Sequence, residues 1–236
     1  MFVLIIGVIK SLQYIMYLLD LCCGTQSIKA ICNIFKMRYI GLDINKITDK
    51  KEPDICINLL DWDYKEYFKL NGHPCLIWFS PPCREYSILN NAMPHKIPDI
   101  IGSNKIVKRG LEIIEYCTAN FVIENPNSGK LKEQVFMKDI PYTIVDYCSY
   151  GFPYKKRTRL WNNINFIGEK CKINKCEFKK GKRHLYSIGN ATYNTNVGEY
   201  DPTKTRLGQR YSIPPKLLKS IFQINQEYNG SVQKVG

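Results

Sequence analysis

Several short stretches of this chain join reactive residue types to backbone that would aim them. In LIWFSPPCREYS (76–87) an apolar run ends in Ser80, Pro81 and Pro82 and then presents Cys83. The two prolines fix two φ angles, remove two N–H donors and hold the residue before each one extended, so the thiol rides on a stiff loop. A free thiol is a weak nucleophile at neutral pH, and a nearby cation raises its thiolate fraction. Arg84 adjoins Cys83. The thiol is then either an aimed nucleophile or a small apolar residue at a turn. In VIENPNSG, Glu124 closes another apolar run. A carboxylate there is costly without partners, which points to a salt bridge or to a catalytic acid. In DLCCGT, Gly24 allows a tight turn and close approach to a ligand; in GLDI, Asp43 follows about twenty residues on, where a carboxylate commonly holds ribose hydroxyls. A plain turn and a strand-end cap are the alternatives. In KKRTR (155–159), Lys155, Arg157 and Arg159 alternate, so a strand would carry all three on one face, as a solvated basic face or as an anion clamp. Cys171 and Cys176 are spaced C-x4-C, His184 lies eight positions further, and Cys148 precedes them. Three sulfurs and one imidazole would suit a tetrahedral structural zinc; ordinary thiols are the alternative.

These residues need elements to hold them. The runs at 16–21, 38–44, 54–60, 75–80 and 120–125 read as strands. SIKAICNIF (27–35) and NKIVKRGLEIIEYC (104–117) carry apolar residues at helical spacing. Strands alternating with amphipathic helices predict βαβ units and a mostly parallel sheet. Ligands bind outside the carboxyl ends of such strands, so Asp20, Gly24, Asp43, Cys83 and Glu124 are expected along one rim.

At 236 residues the chain fits one large domain, and 44% hydrophobic content is enough for a real core. A net charge of +13 indicates a polyanionic partner such as nucleic acid. The ten cysteines sit mostly in apolar runs of a chain too long for a secreted disulfide scaffold, so reduced thiols and an intracellular setting are expected. MFVLIIGVIK lacks a basic n-region and is too short to span a bilayer, and no membrane association is expected. Residues 1–15 read as an apolar extension, 16–161 as the core, 162–209 as a short basic insert and 210–236 as a segment returning to the core.

Together these stretches resemble the cytosine-C5 DNA methyltransferase family, in the compact form of phages and large DNA viruses. The matching signatures, in order from Met16 to Phe222, are DLCCG, the acid Asp43, SPPCREYS, ENP (124–126), KKRTR for QxRxR, and the IPP within RYSIPPKLLKSIF. Gln26 stands where the family has a second glycine, and Lys155 where it has glutamine. The resemblance implies a Rossmann-like S-adenosylmethionine-dependent methyltransferase fold with a short recognition insert. It implies transfer of methyl to C5 of a flipped cytosine in double-stranded DNA, RNA being the lesser alternative and a non-catalytic nucleic-acid-binding module of the same fold a third reading. By the same resemblance Cys83 is the nucleophile that adds at C6, Glu124 steadies the ring, and Arg157 and Arg159 hold the base and Glu124. S-adenosylmethionine would lie against Asp20, Cys22, Gly24, Asp43, Ile44, Asn58 (or Asp61), Ser80 and Pro81. Lys172, Lys175, Lys179, Lys180, Lys182 and Arg183 are expected to contact phosphates.

Overall fold

The computed structural model describes residues 16–44, 52–93, 95–172, 174–180, 183–184 and 211–232. The expectations for residues 1–15, for Lys182, for the side chains of Lys180 and Arg183, and for the insert beyond 184 lie outside the described residues.

The apolar runs become β1 (Tyr17–Leu21), β2 (Arg38–Asp43), β3 (Ile55–Cys56), β4 (Leu76–Phe79) and β5 (Asn120–Pro126). β1 and β4 are buried at every position because helices cover both faces of the sheet. The run expected as a strand over 54–60 pairs only at Ile55–Cys56. Beyond it, Asn58 Oδ1 accepts from Leu60 N at 3.1 Å, the local side-chain bond by which asparagine turns a chain.

The helices are α1 (Lys29–Ile34), α2 (Tyr64–Asn71), α3 (Ile100–Cys117) and α4 (Pro215–Val232). α2 has legible ends, since the Asp63 side chain accepts from Glu66 N and Gly72 stops the helix at φ 75. Asp99 caps α3 in the same way, bonding Gly102 N at 2.8 Å.

With β6 (Tyr142–Asp146) and β7 (Arg157–Asn162), the sheet order is β3-β2-β1-β4-β5-β7-β6. β1 to β5 are parallel, and β7 runs antiparallel to both neighbours. This is a Rossmann-like, mostly parallel α/β sheet. The order changes direction between β1 and β4, the switch point beside which such sheets bind ligands. The loops leaving these two strands carry Gly24 and Cys83. Because β7 is reversed, its first residues lie at the same edge as the last residues of β5 and β6, with Pro126 opposite Thr158 and Asp146 opposite Arg157.

The strands' alternation separates two cores. Leu18, Trp78, Val122 and Leu160 pack with Ile31 of α1 and Leu217, Leu218 and Ile221 of α4. Leu19, Phe79, Ile123 and Trp161 pack with Phe68 of α2 and Val107 and Ile113 of α3. In the insert, β8 (Lys179–Lys180) and β9 (Arg183–His184) form a separate hairpin. Among the described residues no helix is long and apolar enough to cross a membrane.

α3 approaches β4 through Gly110, where a Cβ would overlap the buried Phe79 ring. Gly110→Val should therefore cost about 1–3 kcal/mol as overpacking. A thermal melt is expected to fall by roughly 3–10 °C for a chain of this size. An unchanged melt would show that Phe79 yields.

Candidate active site

The loop after β4 is fastened on both sides. Ser80 N donates to Leu21 O at 3.1 Å, and Ser80 Oγ accepts from Trp78 Nε1 at 3.0 Å. Asn125 Nδ2 donates to Pro81 O at 3.0 Å, which ties the loop to the end of β5. Cys83 is half-buried and forms one wall of an open cleft of about 270 Å³, with Asn90, Lys96, Asn125, Pro126 and Ser128 among the other walls. Asn125 Oδ1 is buried beside it with no hydrogen-bond partner among the described residues, an acceptor available to a ligand.

Glu124 is 8% exposed, one residue inside Asn125. Tyr147, fully buried at the end of β6, donates its hydroxyl to Glu124 Oε1 at 3.0 Å. Lys156 Nζ lies 3.3 Å from the same oxygen and 4.8 Å from the centroid of the Tyr147 ring. Strand parity explains this company. Glu124 is paired with Leu160, so the even-numbered residues at the start of β7 share its face.

The same parity corrects the expectation that Arg157 and Arg159 hold Glu124. Both lie on the opposite face. Arg157 makes a bidentate pair with Asp146 at 2.9 and 2.8 Å, and Lys155 joins that carboxylate at 3.8 Å. Arg159 donates to Asn127 Oδ1 at 3.2 Å and sits 3.8 Å from the Tyr142 ring centroid. Alternation along KKRTR cannot say which of its faces meets Glu124, so it does not reveal Lys156; Tyr147 comes from the turn after β6, a strand that no motif marks.

The cation expected beside Cys83 also differs. Arg84 is 82% exposed and leans 3.7 Å from Glu85. Burial raises the pKa of the Cys83 thiol and Glu124 raises it further, while Lys156 and a backbone hydrogen bond oppose them; the balance is upward.

At the switch point, Gly24 N donates to Asp43 Oδ2 at 3.0 Å, so the first loop and the second strand's acid meet. The loop turns through positive φ at Cys22 (58°) and Gly24 (45°), an uncommon conformation for the cysteine. Gln26 also adopts positive φ (52°), and its side chain donates to Glu52 O at 2.8 Å, so it takes up a backbone shape suited to glycine. Ile44 is exposed at the end of β2. Asn58 is half-buried with its side-chain oxygen engaged on Leu60 N. Asp20, expected at the rim, is 2% exposed and turned inward on the face shared with Leu18, where Tyr39 donates to it at 2.8 Å. Burial, with Asp43 adding to it against the Tyr39 hydrogen bond, pushes its pKa up to about 8.

A second cluster lies behind Tyr147. One ligand atom each from Cys148, Cys171, Cys176 and His184 fall within 4.8 Å of one another. His184 Nε2 is 3.4 Å from Cys171 Sγ and 3.5 Å from Cys176 Sγ. Ordinary zinc–sulfur and zinc–nitrogen bonds in a tetrahedron give a sulfur–nitrogen edge of about 3.5 Å, so the four residues fit zinc. Asp146 binds the cluster's backbone, accepting from Cys171 N at 2.9 Å.

Over 221 residues the chain is 28% identical to the probable DNA (cytosine-5)-methyltransferase of Frog virus 3, covering 89% of itself and 100% of that protein. The chain is thus similar in sequence to a protein named as a probable cytosine-5 DNA methyltransferase. Solved structures similar to it include the S. pombe Dnmt2 methyltransferase, at 14% identity and TM-score 0.43, covering 73% of this chain and 58% of that one. Spodoptera frugiperda DNMT2 follows at 12% identity and TM-score 0.44, covering 65% and 55%. A SAM-dependent methyltransferase from Archaeoglobus fulgidus has 13% identity and TM-score 0.35, covering 63% and 86%. The chain thus spans just over half the length of the two Dnmt2 structures. No protein-family model matches it.

Asp20 gives a signed pH dependence. Its folded pKa lies above that of an unfolded aspartate, so the folded state keeps a proton that the unfolded chain releases. Stability from this group is complete below about pH 4 and declines as pH rises toward about 8. Asp20→Asn keeps an acceptor for Tyr39 and should flatten that decline in urea titrations at pH 5 and 8. An equal slope in both proteins would show that Asp20 is ionised in the fold.

Proposed function

We propose that this chain is an S-adenosylmethionine-dependent methyltransferase acting at C5 of cytosine in double-stranded DNA. The observation that carries the reading is a thiol on a proline-stiffened loop that Asn125 ties to the strand holding a buried, cation-held carboxylate one residue away. The Frog virus 3 relative favours DNA, and the charge of +13 suits a polyanionic substrate.

Cytosine C5 is too weak a nucleophile to take a methyl group unaided. Addition of the Cys83 thiolate to C6 forms a C–S bond and moves the ring's electrons toward C5 and N3. The Glu124 carboxyl hydrogen-bonds N3 and the exocyclic amine and steadies the charge that develops there. S-adenosylmethionine, when bound, supplies the methyl group to C5. Water entering the open cleft takes the C5 proton, the electron pair re-forms the C5–C6 double bond, and the C–S bond breaks to return the thiolate. The unpartnered Asn125 Oδ1 offers an acceptor at the cleft wall. A duplex cytosine must leave the stack to reach this rim. Cofactor binding falls to Gly24, Asp43 and Ile44 at the ends of β1 and β2, with Cys22 shaping the turn and Ser80 and Pro81 closing the far side. Asp20 acts from beneath, through the fold. Phosphate contact falls to lysines of the insert, among which Lys172 and Lys175 are exposed.

Trapping on a 5-fluorocytosine duplex tests the reading, because fluorine at C5 blocks the final elimination. Wild type should form a covalent adduct when S-adenosylmethionine is present, and Cys83→Ser should form none. An adduct that persists in Cys83→Ser, or that forms on RNA and not on DNA, would overturn the assignment.

The Cys148, Cys171, Cys176 and His184 cluster is proposed as a structural zinc site that pins the insert to the core next to Tyr147. Purified protein should carry about one equivalent of zinc, and a chelator should lower its melting temperature. Less than a tenth of an equivalent, with no response to chelator, would dismiss the metal.

A further inference from the structure

Glu124 raises a problem that the family signature does not solve in this chain. The arginines of KKRTR belong to Asp146 and Asn127, on the other face of β7. The cation at Glu124 comes from the residue between the signature positions. Lys156 has its side chain 11% exposed, its ammonium 3.3 Å from Glu124 Oε1, and the Tyr147 ring beneath it at 4.8 Å. Its backbone is fixed as well, because Lys156 O accepts from Tyr147 N at 3.1 Å. Residue 156 and residue 147 therefore hold each other and hold the same carboxylate oxygen.

We propose that Lys156 is a positioning residue of this site: its ammonium holds the Glu124 carboxyl at the rim to which Asn125 ties the Cys83 loop, and it supplies the positive charge there. This rests on the methyltransferase reading, and it moves the clamp from the signature arginines to a lysine. The charged and titratable groups that face the thiol are Glu124, which disfavours its ionisation, and Lys156, which favours it. Glu124 and the Tyr147 ring are among the groups in contact with Lys156. Arg84 is turned to solvent and Glu85. A lysine suits the place better than an arginine in one respect: a compact ammonium can serve a carboxylate and a thiolate from a single point, without the planar fork that fixes arginine to one partner.

The test uses the full chain and reads two quantities. The first is the pH profile of Cys83 alkylation by iodoacetamide, followed on the Cys83 peptide by mass spectrometry. Lys156→Met should move its midpoint up by about one pH unit, roughly tenfold slower alkylation at pH 7, as expected for losing an opposite charge nearby. Glu124→Gln should move it down, and Lys156→Arg, which keeps the charge but not the compact ammonium, should move it up by less than Lys156→Met. The second is methyl transfer to duplex DNA. Lys156→Met should lower kcat by about 100-fold while KM for DNA changes less than about threefold, the pattern of an interaction that matters in the transition state.

Removing the lysine leaves a buried carboxylate unpaired and can unfold the protein. Should Lys156→Met not fold, the double variant Lys156→Met, Glu124→Gln compared with Glu124→Gln alone carries the same test, with the midpoint expected to rise in the double variant. Coincident alkylation profiles with and without the lysine would overturn the proposal. The alkylation result does not depend on methyl transfer. A wild type that traps no 5-fluorocytosine would sink the methyltransferase reading alone.

Discussion

A carboxylate taken out of water at the end of a buried strand must find donors where it lies, and much of this site follows from how Glu124 finds them. Its partners, Tyr147 and Lys156, come from the end of one strand and the start of the next, and they meet only because β7 is inserted antiparallel between β5 and β6. A parallel β7 would deliver its first residues to the opposite edge. The reversal brings a cation and a phenol to the rim where the β4 loop presents its thiol, and the Asn125 to Pro81 hydrogen bond fastens that loop to the strand carrying the acid.

A second buried carboxylate extends the arrangement outward. Asp146 is fully buried, yet Arg157 and Lys155 on one side and the Cys171 N–H on the other hold its pKa below the usual aspartate range despite the burial. It joins the last turn before β7 to the backbone of the insert. Cys148, a member of the sulfur and imidazole cluster, directly follows Tyr147. The segment carrying Cys171, Cys176 and His184 thus meets the core one residue from the side chain that hydrogen-bonds Glu124. The signature arginine Arg157 serves this anchorage through Asp146, and Lys156 stands at the acid.

Much of the architecture was legible because the strands are continuous apolar runs and the long helix keeps a clear period. The 54–60 stretch misled because Asn58 turns the chain before a ladder can extend. α2 escaped notice although its caps, Asp63 and Gly72, stand in the sequence. The set of Cys148, Cys171, Cys176 and His184 was legible because few side chains bind metal, so their composition narrows the choice even at loose spacing.

Residue type and chain order alone therefore determined the parallel strands β1, β2, β4 and β5, the stiff thiol loop, the acid near the end of β5 and the membership of the sulfur and imidazole cluster. The tertiary structure decided which basic residue meets that acid, that Asp20 faces inward, and that Arg84 faces away from Cys83. The physical reason is register. Along a strand, alternate residues project to opposite faces, and the pattern within one strand is fixed by its own sequence. Which of its two faces meets a given residue of the neighbouring strand is set by the pairing between them, and that pairing is a property of the folded sheet.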